Sequence, residues 1–121
     1  MTSGFTIRDA TSADAEAIRA LLHTASLPLD GVEHVRFAVA VADDTVIGCA
    51  GLEVHGDAAL LRSVAVHDAW RGQHVGDALV RTILDQASAC GLDPVVLLTT
   101  TAPAWFPRFG FTRVTRDAVP V

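Results

Sequence analysis

Six consecutive residues, Arg71-Gly72-Gln73-His74-Val75-Gly76, stand directly ahead of a stretch with helical periodicity. The first N–H groups of a helix have no intrahelical partner, and together with the helix dipole they bind phosphate oxygens. Gly72 and Gly76 permit close backbone approach and Arg71 supplies positive charge, so the turn reads as a pyrophosphate site. A glycine-bearing loop that merely joins strand to helix fits the same residues. Upstream, Glu53 is a carboxylate in an otherwise apolar strand, where burial would raise its pKa into the range of a general base. A solvent-facing strand residue is the alternative. His55 and His67 lie in turns beside the same strands and are weaker base candidates. Arg62 interrupts the apolar run Leu60-Leu61-Arg62-Ser63-Val64. Its guanidinium would either clamp a substrate carboxylate bidentately or pair with Glu53 across a hairpin.

Several chemistries are excluded by what is missing. The chain has no Tyr, and all 9 of its Lys+Arg residues are Arg, so two common proton-transfer side chains are absent. The 5 His residues show neither HxxxH nor HExxH spacing, and no metal site is expected. Cys49 and Cys90 are isolated, and each is expected to be a reduced thiol filling core space. A net charge of −5 and a pI near 5.3 argue against a nucleic-acid partner, which needs a basic face. With 121 residues, 50% hydrophobic and 19% charged, and a mean hydropathy of +0.38, the chain should fold as one domain over 1–121. No apolar run approaches the ~20 residues of a membrane span. Met1-Thr2-Ser3-Gly4-Phe5 carries no secretory signal, so the cytoplasm is the expected location and no membrane partner is expected.

The elements that must position these residues follow from periodicity. Phe5 to Arg8 alternates as a short strand, and Thr11 with Asp14 caps a helix whose apolar stripe is Ile18, Leu21, Leu22 and Ala25, stopped at Leu27-Pro28. Pro28 to His34 is a loop. Val35 to Ala42, Thr45 to Val54 and Ala59 to Val66 read as an antiparallel meander turned at Asp43-Asp44 and at His55-Gly56-Asp57. A long helix is predicted from about His74 to Ala89, ended by Gly91, and Val95 to Leu98 is a strand buried on both faces. The span from Leu60 to Leu98 is thus a βαβ unit with two parallel strands. Ala102 to Phe109 is a short helical turn, and Phe111 to Thr115 a last strand.

Taken together, these segments resemble the GCN5-related N-acetyltransferases. Their cofactor motif, (Arg/Gln)-x-x-Gly-x-(Gly/Ala), is similar to Arg71-x-x-His74-x-Gly76, preceded by the strand Ser63-Val64-Ala65-Val66. Trp105-Phe106-Pro107-Arg108-Phe109-Gly110-Phe111 resembles the family's closing Gly-Phe segment. Within the superfamily, Val46-Ile47-Gly48-Cys49-Ala50, Val64-Ala65-Val66-His67, Leu98-Thr99-Thr100 and Trp105-Phe106 look most like the acetyltransferase domain of N-acetylglutamate synthase and the arsenic-resistance N-acetyltransferases. The implied fold is α/β: a central mixed sheet whose antiparallel meander is followed by a splayed parallel strand pair, flanked by helices.

The resemblance assigns roles. The main chain of Val64, Ala65 and Val66 would hold the pantetheine arm of acetyl-CoA, and one of their N–H groups would polarise the thioester carbonyl. Arg71, Gly72, Gln73, His74, Val75, Gly76 and Asp77 would take the pyrophosphate, with His74 where the family commonly has Gly. Trp105, Phe106 and Phe109 would wall the thiol end, Phe106 at the position of the family's frequent Tyr acid. Glu53 is the catalytic candidate, and Arg62, Thr100 and Phe109 the substrate-binding ones. Acetyl-CoA is the implied co-substrate, without metal, and the acceptor is a small primary amine, an amino acid or its arsenic or phosphinic analogue.

Two rival readings are a catalytically silent acyl-CoA-binding module and a protein N-terminal or polyamine acetyltransferase. Because the chain stops just after Phe111 to Thr115, where the family usually adds a strand, the final strand is expected to be missing or supplied by a partner, which suggests a homodimer.

Overall fold

Apolar alternation is realised as five strands: β1 (Thr6–Asp9), β2 (Arg36–Ala42), β3 (Thr45–His55), β4 (Ala58–Val66) and β5 (Val95–Val96). Two helices accompany them, α1 (Ala15–Thr24) and α2 (Val75–Ala89), with single 3-10 turns at Ser12–Asp14, Val32–His34 and Asp68–Trp70. This computed structural model describes residues 4–27, 29, 31–92 and 95–96. The strands form one sheet in the order β1-β2-β3-β4-β5. β1 to β4 pair antiparallel, and β5 joins β4 in parallel through Ala59↔Val95 and Leu60↔Val96. The mixed sheet of the expected fold is therefore present. The splaying of its parallel pair, the Ala102 to Phe109 turn and the Phe111 to Thr115 strand lie outside the described residues.

Each face of the sheet carries its own core. Against α2, Val75, Leu79, Val80, Ile83 and Ala87 meet the small side chains Ala38, Ala40 and Ala50 and the larger Leu52 and Leu61. Small residues on the strands let the helix sit close: a Cβ on Gly48 would lie 3.0 Å from Leu79 Cδ1 and 3.2 Å from Val75 Cγ1. On the opposite face, Ile18, Leu22, Val32, Val39, Cys49 and Ala65 form a smaller cluster under α1. Here the side chains at the start of β2 cover β3 so tightly that a Cβ on Gly51 would fall 2.6 Å from Cγ1 of Val35, just ahead of β2, and 3.1 Å from Phe37 Cε1.

Local chemistry shifts several boundaries. Thr11 N–H donates to Asp14 Oδ2 at 2.7 Å, as a cap should, but the residues after it wind as a 3-10 turn and α1 proper starts at Ala15. The helix ends at Thr24, before Leu27-Pro28, where Leu27 N–H returns to the Leu22 carbonyl. The loop after it contains the Val32–His34 turn, and α2 begins at Val75 with His74 as its N-cap. Cys49 is buried as expected, and burial pushes its thiol up to about 12. Cys90 is exposed at the C-terminus of α2, a correction to its expected place in the core.

Two bulges break the meander. Ala40 pairs with Gly48 and Val41 with Val46, which leaves Ile47 as the extra residue in β3. In β4, Cys49 faces Ala65 and Gly51 faces Arg62, so Ser63 and Val64 together oppose Ala50. Ser63 takes a φ of +59°, the left-handed conformation that marks a bulged residue.

Candidate functional site

The bulge sets which way the following strand faces. His67 N–H donates to the Ile47 carbonyl at 2.7 Å. Peptide groups alternate along a strand, so Ala65, paired with Cys49, turns its N–H and C=O toward β3, while those of Val64 and Val66 turn outward. That outward row leads through the Asp68–Trp70 turn into Arg71-Gly72-Gln73-His74 and the start of α2.

The turn ahead of α2 has the backbone an anion cradle needs. Gly72 and His74 both adopt positive φ, +80° and +66°, and nothing lies within 4 Å of where a Gly72 Cβ would stand. The first helical bond at this end runs from Ala78 N–H to the His74 carbonyl, at 3.1 Å, and His74 makes no side-chain cap. The amides of Val75 and Gly76 therefore precede the helical ladder and sit at the positive end of its dipole. The His74 imidazole is 83% exposed and lies 3.5 Å from Asp77 Oδ2. Arg71 is exposed and pairs with Asp68 at 3.2 Å, so its charge is partly compensated. These residues fit a pyrophosphate through main-chain donors, with two carboxylates close by. A cleft of about 240 Å³ opens beside the turn, lined by Val66, His67, Asp68 and Arg71 and by Leu21 and Thr24 of α1. A larger cleft of about 470 Å³, between β1, α1 and the start of β2, contains none of the candidate residues.

A second cluster lies on the α1 face. Arg62 Nη1 donates to Glu53 Oε1 at 2.8 Å, and His55 Nε2 meets Glu53 Oε2 at 2.5 Å. The pairing across the hairpin is therefore formed. It reverses the direction expected for Glu53: the Arg62 hydrogen bond outweighs burial, with His55 adding to it, and the carboxyl is held below its usual range. Arg62, whose side chain is 19% exposed, also donates from Nε to Ser63 Oγ at 3.1 Å. A Cβ on Gly31, in the loop after α1, would stand 3.9 Å from its Nη1.

The bulge at Ser63 escaped the sequence reading because a serine within an apolar strand carries no turn signal. His55, expected in a turn, is instead the last residue of β3, two positions after Glu53, and its imidazole reaches that carboxylate. Thr100, Trp105, Phe106 and Phe109 lie outside the described residues. Among the described residues, no group of three or more His, Cys, Asp or Glu side chains is arranged to hold a metal ion, and no helix is long and apolar enough to cross a membrane.

Comparison with known proteins identifies a family, relatives in sequence and neighbours in structure. A family profile described as the acetyltransferase (GNAT) domain matches residues 33–113. Amino-acid acetyltransferase of Escherichia coli strain K12 is 34% identical over 87 residues, 70% of this chain and 20% of that protein. The Proteus mirabilis protein of the same name is 33% identical over 88 residues, again 20% of its length. The chain thus spans about a fifth of the curated relatives it matches. Among solved structures, N-acetylglutamate synthase from Neisseria gonorrhoeae, complexed with coenzyme A and L-arginine, superposes with a TM-score of 0.84 at 25% identity, over 99% of this chain and 30% of that one. Rv2747 from Mycobacterium tuberculosis, also in complex with coenzyme A, gives 0.78 at 31% identity, over 96% of this chain and 75% of that one.

Proposed function

The chain belongs to the GNAT acetyltransferase domain family, and from that membership we propose that it moves acetyl from acetyl-CoA to the primary amine of an amino acid or a close analogue. The observation that carries this reading is the continuous outward edge from Val64 and Val66 through the positive-φ turn at Gly72 and His74 to the N-terminus of α2. The pantetheine arm lies along Val64 to Val66. The pyrophosphate rests on the amides that open α2, with Arg71 beside it.

The chemistry is direct transfer. The neutral amine nitrogen attacks the thioester carbonyl carbon, a C–N bond forms, and the C–S bond breaks. An outward N–H of Val64 or Val66 stabilises the oxygen that gains charge. The proton lost by nitrogen passes to Glu53, directly or through the His55 imidazole that touches it. The leaving thiolate takes its proton from water or a hydroxyl, since the chain has no phenol. A thiol is roughly two units more acidic than a Lys-type amine, so departure needs no dedicated acid.

The amino-acid class of acceptor is supported by the likeness to amino-acid acetyltransferases and to N-acetylglutamate synthase. The assay is release of free thiol from acetyl-CoA over a panel of amino acids and their phosphinic and arsenic analogues, with turnover expected for at least one. One observation favours a second reading, an acyl-CoA-binding module without turnover: both carboxylate oxygens of Glu53 are already engaged. Binding of acetyl-CoA with no thiol release across the panel, protein N-terminal peptides and polyamines included, establishes that reading instead.

A further inference from the structure

Ser63 holds a conformation that its own side chain does not favour, in the middle of a strand. A non-glycine residue at positive φ persists where its surroundings over-determine it, and two contacts from outside do so here. Arg62 Nε donates to Ser63 Oγ at 3.1 Å, and Cys49 Sγ approaches the Ser63 carbonyl at 3.4 Å. Arg62 is itself fixed at its other end by Glu53 Oε1 at 2.8 Å. Without the bulge, the register that sets Arg62 against Gly51 would continue by single steps, and every residue after Ser63 would exchange its inward and outward peptide groups.

We propose that Arg62 is a positioning residue for the cofactor strand: it locks Ser63 in the left-handed bulge, and thereby turns the peptide groups of Val64 and Val66 outward, where acetyl-CoA pairs with them. The inference rests on the acetyl-CoA reading above and deepens it. Arg62 then acts on cofactor binding at a distance, without touching the cofactor, and it ties the Glu53 carboxylate to the strand that holds the thioester. This differs from a clamp on the acceptor carboxylate, which would leave acetyl-CoA binding unchanged.

Glycine adopts positive φ without a clamp, so a Ser63→Gly background should make Arg62 dispensable for the cofactor. Calorimetric titration with acetyl-CoA compares the wild type, Arg62→Ala, Arg62→Lys, Ser63→Gly and Arg62→Ala/Ser63→Gly. Arg62→Lys guards against a folding failure, because it keeps a cation beside Glu53 while removing the Nε donor. The expected result is about tenfold weaker binding for both single Arg62 variants, the scale of losing a forced left-handed residue. Ser63→Gly and the double variant should bind within about twofold of the wild type, a difference too small to signal a lost contact. A strong intraresidue HN–Hα cross-peak at residue 63 reports positive φ independently of ligand. It should weaken in the Arg62 variants and return in the double variant. Unchanged acetyl-CoA binding in Arg62→Ala, an effect confined to the acceptor KM, or a double variant as weak as Arg62→Ala each overturns the proposal. A wild type that binds no acetyl-CoA overturns the functional reading, while the cross-peak series still decides whether Arg62 holds the bulge.

Discussion

At Glu53 the two oxygens are taken by different partners, and this decides what its protonation can do. Arg62, and then His55, hold the carboxyl below its usual range, so it stays ionised throughout ordinary working pH. If Glu53 is the final proton acceptor, its own limb of the pH profile lies below the ordinary carboxylate value of about 4.3, and any loss of rate above that value belongs to another group, the acceptor amine that must be neutral to attack among them. A fall in kcat in a His55→Gln variant as large as that in Glu53→Gln assigns the proton relay to the imidazole as well. Glu53→Gln keeps an oxygen for Arg62, so it should lower kcat about a hundredfold, the scale of lost base catalysis, while leaving acetyl-CoA affinity intact. Steady-state rates from pH 4 to 9, with calorimetry beside them, separate these outcomes. His74 presents the converse case, a residue whose backbone rather than side chain is constrained. Its left-handed φ of +66° carries a penalty that glycine avoids, and its imidazole points to solvent. His74→Gly should therefore stabilise the protein by about 1 kcal/mol in urea unfolding and bind acetyl-CoA at least as tightly. A large loss of affinity would show the imidazole to be a ligand.

Among the elements, the entry to α1 and the contact between β2 and β3 carry the sharpest physical demands. Asp14 is 6% exposed and accepts two bonds from Arg8, at 2.7 and 3.1 Å, and one from Thr11 N–H. The Arg8 bonds first, and the Thr11 amide next, bring its carboxyl down from 3.8 to about 2. Its stabilisation is therefore complete above the unfolded value and lost as pH falls through the folded one. Asp14→Asn should cost about 1 kcal/mol at neutral pH, as for a lost cap, and the gap from wild type should close between pH 4 and pH 2. Gly51→Ala should cost about 1–3 kcal/mol by overpacking, because Val35 has no flexible end to move out of the way. Why some of this was legible and some not follows from the same contacts. Helices and strands announce themselves through periodicity and through turns such as Asp43-Asp44, both at positive φ in the structure. Bulges do not: Ile47 and Ser63 are ordinary strand residues locally, and their extra step appears only when partners are aligned across the sheet. Partial burial of Glu53 was foreseeable from its apolar strand, whereas the sign of its shift depended on whether Arg62, 9 positions away, reached it.

For the molecule as a whole, the two sheet faces carry different loads. The α2 face is an extended apolar core, while the α1 face combines a smaller cluster with the Glu53–Arg62–His55 group. β1, at one edge of the sheet, is short and carries Arg8 and Asp9, features that discourage pairing with another chain. The proposed cofactor row runs from β4 to the N-terminus of α2, and α2 packs across β2, β3 and β4. A ligand spanning that row is held by both elements and should stabilise the whole cooperative unit instead of a loop alone. At a hundredfold excess over Kd, binding to the native state adds about 2.7 kcal/mol, which for a domain of this size raises Tm by roughly 10 °C. Differential scanning calorimetry with acetyl-CoA should show that shift as a single displaced transition, with coenzyme A close behind, because the pyrophosphate and pantetheine contacts are common to both. Free adenosine, which lacks those groups, should shift Tm by no more than about 1 °C, as a weakly bound ligand does. Equal shifts with adenosine, or a transition that splits instead of moving, would place the ligand away from the β4–α2 row.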